Sequence, residues 1–335
     1  MAELPWPPGS ATGIGSWPGD DPLEAARTVL GELTDVPYLP ELPDRGPGAD
    51  LVGRTAANLL PGLDVDVFAA RWRLTSKAGV DVRRARSLWS TDLDALEEAA
   101  DGYAGPVKVQ VCGPWTLAAQ LELPRGGPVL TDHGACRDVA ESLAAGVGEY
   151  VTQLRRLPGV SPLVQLDEPA LPAVLRGAVP TMSGFSTVAP VEPRPMQEAL
   201  SQVLRAADAA GGWPLVHCCA AGVPLRLLRD AGARAVALDV SQVSAAADDE
   251  VGELVEAGFG LLLGCVPSTD PATDPAVDYV LAPVRQWWSR IGLTRDQLAT
   301  RTMVTPTCGL AGASPSWART ATALSVRAAR TLADR

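Results

Sequence analysis

The chain has 335 residues, of which 28 are Lys or Arg and 39 are Asp or Glu, so its formal net charge is −11 at pH 7. An acidic balance without a run of basic residues argues against a nucleic-acid-binding protein and against binding to an anionic membrane surface. Hydrophobic residues make up 47% of the chain, which is enough for a full core and excludes a largely disordered protein. No apolar run approaches the roughly 18 residues that cross a bilayer. No signal peptide is recognisable, and we therefore expect a cytoplasmic protein with reduced cysteines.

Short apolar runs recur along the chain, and several are continuously hydrophobic, which is typical of parallel strands buried on both faces. Segments with helical apolar spacing lie between them. This alternation predicts an α/β fold, a single (β/α)8 TIM barrel over residues 1–335, and a doubly wound sheet is the alternative. Strands are predicted near 12–16, 36–39, 107–111, 162–166, 213–217, 235–239, 260–264 and 302–305. Helices are predicted over 22–33, 132–157, 195–210, 224–231, 248–257, 276–291 and 316–333.

The carboxyl ends of barrel strands carry the chemistry, and the fifth predicted strand ends in His217-Cys218-Cys219. Residues i and i+2 of a strand point the same way, so His217 and Cys219 share one side and form half of a metal site. Cys308 follows the eighth strand and Asp239 ends the sixth, which completes a possible zinc set of one imidazole, two thiolates and one oxygen. Taken alone, the motif is also typical of a buried histidine beside small hydrophobic cysteines.

The other cysteines and the second histidine fit simpler roles. Cys112, Cys136 and Cys265 are interpreted as packing residues, since a free cysteine usually behaves as a small hydrophobic side chain. His133 lies at a polar helix start, where a surface or capping position is expected.

Carboxylates also follow the predicted strands. Asp167 and Glu168 end the fourth strand before Pro169, and Glu41 follows the second. Carboxylates at such positions are costly to bury unless they meet cations, so a grip on an ammonium group is one interpretation and a helix N-cap is the other. Ser16 follows Gly15 after the first strand, where it either binds a carboxylate or belongs to a simple turn.

Taken in order, these motifs resemble the catalytic domain of cobalamin-independent methionine synthases. The resemblance extends over nearly the whole chain, and its last three motifs in this order are the specific ones. The matching segments are Gly15-Ser16-Trp17-Pro18, Pro40-Glu41-Leu42-Pro43, Cys112-Gly113-Pro114-Trp115-Thr116, Gln165-Leu166-Asp167-Glu168-Pro169-Ala170, His217-Cys218-Cys219 and Thr305-Pro306-Thr307-Cys308-Gly309-Leu310.

The resemblance implies a TIM barrel of the methionine synthase and uroporphyrinogen decarboxylase-like superfamily. It implies Zn²⁺ on His217, Cys219 and Cys308, and Asp239 stands where the family has a glutamate. Homocysteine is the implied substrate. Its carboxylate would be held by Ser16 and its amine by Glu41 and Asp167, and Asp167 and Glu168 are the predicted catalytic carboxylates. Zinc deprotonates a bound thiol, and the thiolate attacks a methyl group to give methionine.

Two departures from the family leave the methyl donor open. Gln120 stands where the folate-using enzymes have a tryptophan, and the loop 264–269 lacks their histidine. A folate and a methylated corrinoid protein are both compatible donors. Two alternatives also remain, namely a related thiol alkyltransferase with another acceptor and a non-catalytic barrel that binds zinc or an amino acid.

Overall fold

In the computed structural model, residues 3–181 and 183–334 are described, so that residues 1, 2, 182 and 335 of the predicted domain 1–335 lie outside the described part. Strands and helices alternate along most of the chain. The strands are β1 (Asp64–Phe68), β2 (Arg71–Thr75), β3 (Gly105–Cys112), β4 (Val160–Asp167), β5 (Trp213–Cys218), β6 (Ala235–Asp239), β7 (Gly260–Val266) and β8 (Thr302–Pro306). The helices are α1 (Pro22–Glu32), α2 (Leu51–Asn58), α3 (Val80–Ala99), α4 (Pro114–Gln120), α5 (His133–Leu154), α6 (Leu171–Arg176), α7 (Pro193–Ala209), α8 (Leu225–Ala231), α9 (Asp248–Glu256), α10 (Val277–Ile291), α11 (Arg295–Arg301) and α12 (Pro315–Ala333).

The six strands β3 to β8 form one parallel sheet in sequence order, and this sheet curls into a half-barrel. Its pairing brings Cys112 level with Asp167, and Asp167 level with His217, so the carboxyl ends of β3, β4 and β5 lie side by side. The last six predicted strands are thereby confirmed, each within about two residues, which is the usual precision of such boundaries.

The first two predicted strands, 12–16 and 36–39, do not form regular strands. These segments make isolated bridges instead. The bridges join Ala11 to Val304 of β8, Ser16 to Glu41, and Tyr38 to Lys108 of β3. Prolines explain part of the irregularity, since Pro37 and Pro40 have no N–H to donate to a neighbouring strand. The two segments nevertheless lie in chain order between the edge strands β8 and β3.

Helices cover the outer side of the sheet and bury its apolar side chains. Every predicted helix is confirmed, and Asp21 caps α1 by accepting hydrogen bonds from the backbone N–H groups of Leu23 and Glu24. Three elements between the second and third predicted strands are additional: α2, the antiparallel hairpin β1–β2 and α3. Among the described residues, no helix combines the length and the hydrophobicity that a bilayer-spanning segment needs.

A candidate metal centre and amino-acid pocket

The structure brings together three of the predicted metal ligands. The ligand atoms of His217, Cys219 and Cys308 all lie within 4.8 Å of one another, and the two sulfurs are 3.4 Å apart. Parallel pairing explains the meeting, because His217 lies in β5 while Cys308 follows β8 at the same edge of the curled sheet. One imidazole and two thiols form the donor set that zinc prefers in proteins.

His217 is oriented as a ligand. Its Nδ1 is 2.7 Å from Oδ1 of Asp167, and its other nitrogen, Nε2, is buried and has no hydrogen-bond partner among the described residues. A carboxylate bonded to one ring nitrogen fixes the tautomer and leaves the other nitrogen free to bind a metal. The residues therefore fit a zinc ion.

The two thiols differ in acidity. The hydrogen bond that their sulfurs share lowers the pKa of Cys308 and raises the pKa of Cys219. The imidazole of His217 also favours the Cys308 thiolate. A thiolate is the form of cysteine that binds a metal.

Asp239, the predicted fourth ligand, is not among the side chains whose ligand atoms converge. It is half-buried at the end of β6, and its carboxylate accepts a hydrogen bond of 2.8 Å from the backbone N–H of Ser241. The structure thus brings His217, Cys219 and Cys308 together without Asp239.

Ser16 lies against the loop that carries Cys308. Its hydroxyl accepts a hydrogen bond of 3.3 Å from the backbone N–H of Ala311, and a Cβ at Gly309 would overlap with it. The glycine is therefore needed for this close approach. The backbone of Ser16 pairs with Glu41, which brings these two predicted substrate residues next to each other.

Glu41 is a buried carboxylate with buried charged neighbours. Burial raises its pKa to about 7, and the positive charge of Arg54 opposes this rise. The guanidinium Nε of Arg54 lies 3.5 Å from Oε1 of Glu41, and Arg54 also pairs with Asp92. A further positive charge beside Glu41 would favour its ionised form, because an opposite charge lowers the pKa of a carboxyl group.

Asp167 is buried, and its Oδ1 accepts hydrogen bonds from His217 and from Nε2 of Gln165, at 2.7 Å each. Glu168 is fully buried and bonds to other partners. It accepts bonds from the backbone N–H groups of Trp115 and Thr116 at the start of α4, at 2.9 and 2.8 Å, and from the Thr116 hydroxyl at 2.7 Å. Glu168 thus bonds to the first turn of α4, a helix distant in sequence, whereas the helix that follows it, α6, has Ala170 as its N-cap and no side-chain cap.

The sequence interpretation missed a buried lysine. Lys108 lies in β3 with no exposed surface, and its Nζ donates to the carbonyl oxygen of Ile14 at 2.8 Å and to Oε1 of Gln110 at 3.1 Å. Burial lowers its pKa to about 7. A charged residue inside an otherwise apolar strand was the signal that could have identified it.

The remaining predictions for cysteines and histidine agree with the structure. Cys112 is buried in the core, while Cys136 and Cys265 are partly buried and pack against it. His133 is exposed and is the first residue of α5, whose N-cap is Asp132.

Comparison with known families now decides the classification. Residues 9–331 match the family described as "Cobalamin-independent synthase, Catalytic domain". The chain belongs to this family. It is therefore a methyltransferase enzyme of the methionine synthase type, and the resemblance found in the sequence is confirmed.

Solved structures support the fold. A B12-independent methionine synthase from Shewanella sp. W3-18-1, in complex with selenomethionine, is 16% identical, with a TM-score of 0.56 over 97% of this chain and 98% of that chain. A GH5_18 protein from Streptomyces cattleya in complex with GlcNAc is 15% identical, with a TM-score of 0.47 over 98% of this chain and 81% of that chain. The former likeness shows a shared fold alone, and the latter is too weak to carry an argument. No curated protein matches the chain.

Proposed function

We propose that this methyltransferase uses zinc to transfer a methyl group to the thiol of homocysteine and so forms methionine. The observation that carries the proposal is the convergence of His217, Cys219 and Cys308 at one sheet edge, with the free Nε2 of His217 buried between its neighbours. Family membership supports methyl transfer to homocysteine.

His217, Cys219 and Cys308 would hold the ion, and Asp239 is the proposed fourth ligand. Asp239 would have to leave its bond with the Ser241 N–H to do so. When bound, zinc supplies a Lewis acid that keeps a ligating substrate thiol deprotonated at neutral pH. Asp167 holds Nδ1 of His217, which directs Nε2 towards the ion.

The chain's own residues would fix the amino-acid end of the substrate. Ser16 is proposed to bind the carboxylate, and Glu41 and Asp167 the ammonium group. Three contacts support this: Ser16 bonds to the loop after Cys308, Glu41 is the backbone partner of Ser16, and Asp167 bonds to His217. Holding both ends fixes the thiol for attack, which is catalysis by proximity. Glu168 would contribute by fixing α4 beside Asp167, a positioning role in place of direct catalysis.

The proposal extends to the closure of the barrel, the methyl donor and the cellular compartment. The singly bridged segments around Ser16 and Glu41 would close the half-barrel as its first two strands, giving one barrel domain. The methyl donor is a folate or a methylated corrinoid protein. The six free cysteines fit a reducing compartment such as the cytoplasm.

Metal analysis of the purified protein tests the proposal first. We expect about one zinc per chain in the wild type and a large loss in Cys308→Ala, because a site with three protein ligands would lose one. Cys136→Ala is the matched control, since Cys136 is a partly buried cysteine outside the cluster. A wild type without zinc would overturn the proposal.

Activity then tests the reaction. Zinc-loaded protein with homocysteine should form methionine with methyltetrahydrofolate or with methylcobalamin as donor. A loaded protein that forms no methionine with either donor would contradict the reaction and favour another thiol acceptor or a non-catalytic binding role.

A further inference from the structure

Two glutamines lie side by side inside the half-barrel. Gln110 of β3 and Gln165 of β4 are register partners, and they are 1% and 0% exposed. Each donates an amide hydrogen to a backbone carbonyl of a singly bridged segment, Gln110 to Leu39 and Gln165 to Ile14, at 2.8 Å in both cases. Both glutamines are therefore buried, and each anchors one of the two singly bridged segments.

Gln165 makes a second bond that Gln110 does not make. Its Nε2 donates to Oδ1 of Asp167 at 2.7 Å. Residues i and i+2 of a strand point to the same side, which is why Gln165 reaches Asp167 within β4. Both partners of this amide nitrogen are acceptors, so only the NH2 group can face them.

The other end of the Gln165 amide supports this assignment. Its Oε1 is buried and accepts no hydrogen bond from the described residues, whereas Oε1 of Gln110 accepts from Lys108. A buried acceptor without a partner costs about 1–3 kcal/mol. Gln165 therefore uses only its donor group, and its two donor bonds offset the cost of burying an acceptor without a partner.

Through Asp167, Gln165 is connected to His217, one of the three candidate metal ligands. Oδ1 of Asp167 accepts from both Gln165 and Nδ1 of His217, so Gln165 limits the rotation of the carboxylate that orients the imidazole. Through its bond to the Ile14 carbonyl, the same amide also holds the segment that leads into Ser16. One side chain therefore connects the substrate end of the pocket with the metal end.

We propose that Gln165 is a positioning residue that aims Asp167, and through it His217, at the metal. This inference rests on the proposed zinc function. Its role differs from that of Gln110, which anchors a segment and contacts Lys108 without touching Asp167.

Zinc affinity, measured by competition with a chromophoric chelator, tests this role without requiring activity. Gln165→Met keeps the length of the side chain and removes its donors. We expect its zinc dissociation constant to rise by about tenfold or more, the usual effect of losing a group that orients a metal ligand. The matched control Gln110→Met loses the equivalent anchor at equal burial and should stay within about threefold of the wild type, since its ligand geometry is intact.

The zinc affinities of the two glutamine variants distinguish a specific role of Gln165 from a general loss of structure. Equal zinc affinity of Gln165→Met and the wild type overturns the inference, and so does an equal loss in both glutamine variants, which would indicate general loosening of the anchored segments. If Gln165→Met does not fold, Gln165→Leu decides, because leucine is close in size to glutamine, has no donor and adds no charge beside Asp167, and this variant should also bind zinc more weakly. A wild type without zinc refutes the proposed function instead.

Discussion

Arg54 is the buried cation that pairs with the carboxylates of Glu41 and Asp92. The variant Arg54→Met tests how much these ion pairs contribute to stability. Arg54 is 2% exposed, pairs with Asp92 and Glu41, and lies 4.7 Å from the ring centre of Trp89. Methionine keeps much of the apolar stem and removes the charge. Breaking a buried ion pair by removing one partner generally costs about 3–5 kcal/mol.

Two features of the structure reduce this cost at neutral pH. Asp92 keeps a second cation, because Nη2 of Arg45 lies 2.7 Å from its Oδ1. Glu41 already has a pKa of about 7, so it can take up a proton at little cost when Arg54 is gone. We therefore expect a loss of about 3 kcal/mol near pH 7, the lower end of the range for a broken buried pair.

The loss should grow as the pH rises. The folded-state pKa of Glu41 lies above its unfolded value, so folded protein holds a proton that unfolded protein has released, and stability falls as pH rises towards the folded pKa. Removing Arg54 raises this folded pKa further and extends the fall to higher pH, with a slope of up to about 1.4 kcal/mol per pH unit.

Urea unfolding at several pH values between about 6 and 9 measures both effects, and the slope is read as proton linkage. Arg194→Met is the matched control, because Arg194 makes an exposed i,i+4 pair with Glu198, worth less than about 0.5 kcal/mol. A loss in Arg54→Met no larger than in the control, or a loss that does not change with pH, would refute the reasoning.

Three further predictions concern neighbouring residues. Glu168→Ala leaves the N–H groups of Trp115 and Thr116 without their acceptor and should destabilise the protein by about 2–5 kcal/mol in urea unfolding; lower activity at unchanged stability would instead indicate a catalytic role. Gly309→Ala should displace the Ser16 hydroxyl and weaken methionine binding by about tenfold, or about 1.4 kcal/mol by calorimetry, with little change in stability; unchanged affinity would exclude Ser16 from the pocket. Methionine, which has no thiol to titrate, should bind more tightly as the pH rises through about 7 and Glu41 loses its proton, and Glu41→Gln should abolish this dependence.

The sequence predicted those elements whose local residue pattern directly reflects their position in the fold. Buried parallel strands read as continuous apolar runs, and this located β3 to β8. The convergence of His217, Cys219 and Cys308 could be predicted because they lie at or just after the ends of such strands, and parallel strands end at one edge. The segments around Ser16 and Glu41 were predicted from the same kind of signal, but they make only isolated bridges, and Pro37 and Pro40 of the second segment have no N–H to extend its pairing.

Some elements were missed although they carry a local signal. The hairpin strands Asp64–Phe68 and Arg71–Thr75 alternate apolar and charged residues, and α3 buries Val82, Ala85, Trp89 and Leu96 at helical spacing. Other features depend on long-range contacts that no local pattern encodes. The bond from Gln165 to the Ile14 carbonyl joins residues 151 positions apart. Asp167 was predicted as an amine-binding group from its place in the strand, yet its bond to His217 is visible only when β4 and β5 are paired.

Lys108 lies inside the half-barrel without a direct ion pair to Glu41 or Asp167, the carboxylates proposed to bind the substrate amine. Its two hydrogen-bond partners, the Ile14 carbonyl and Gln110, are neutral, while Glu41 and Asp167 act on it at longer range and raise its pKa against the effect of burial. A direct ion pair would have consumed carboxylate oxygens that an ammonium group needs. Because Lys108 bonds to neutral groups, it partly balances the charge of the two carboxylates without bonding to their oxygens, although Oε1 of Glu41 already faces Arg54 and Oδ1 of Asp167 accepts from His217 and Gln165. If Glu41 and Asp167 bind an ammonium group as proposed, Lys108 does not compete with that group through a direct ion pair.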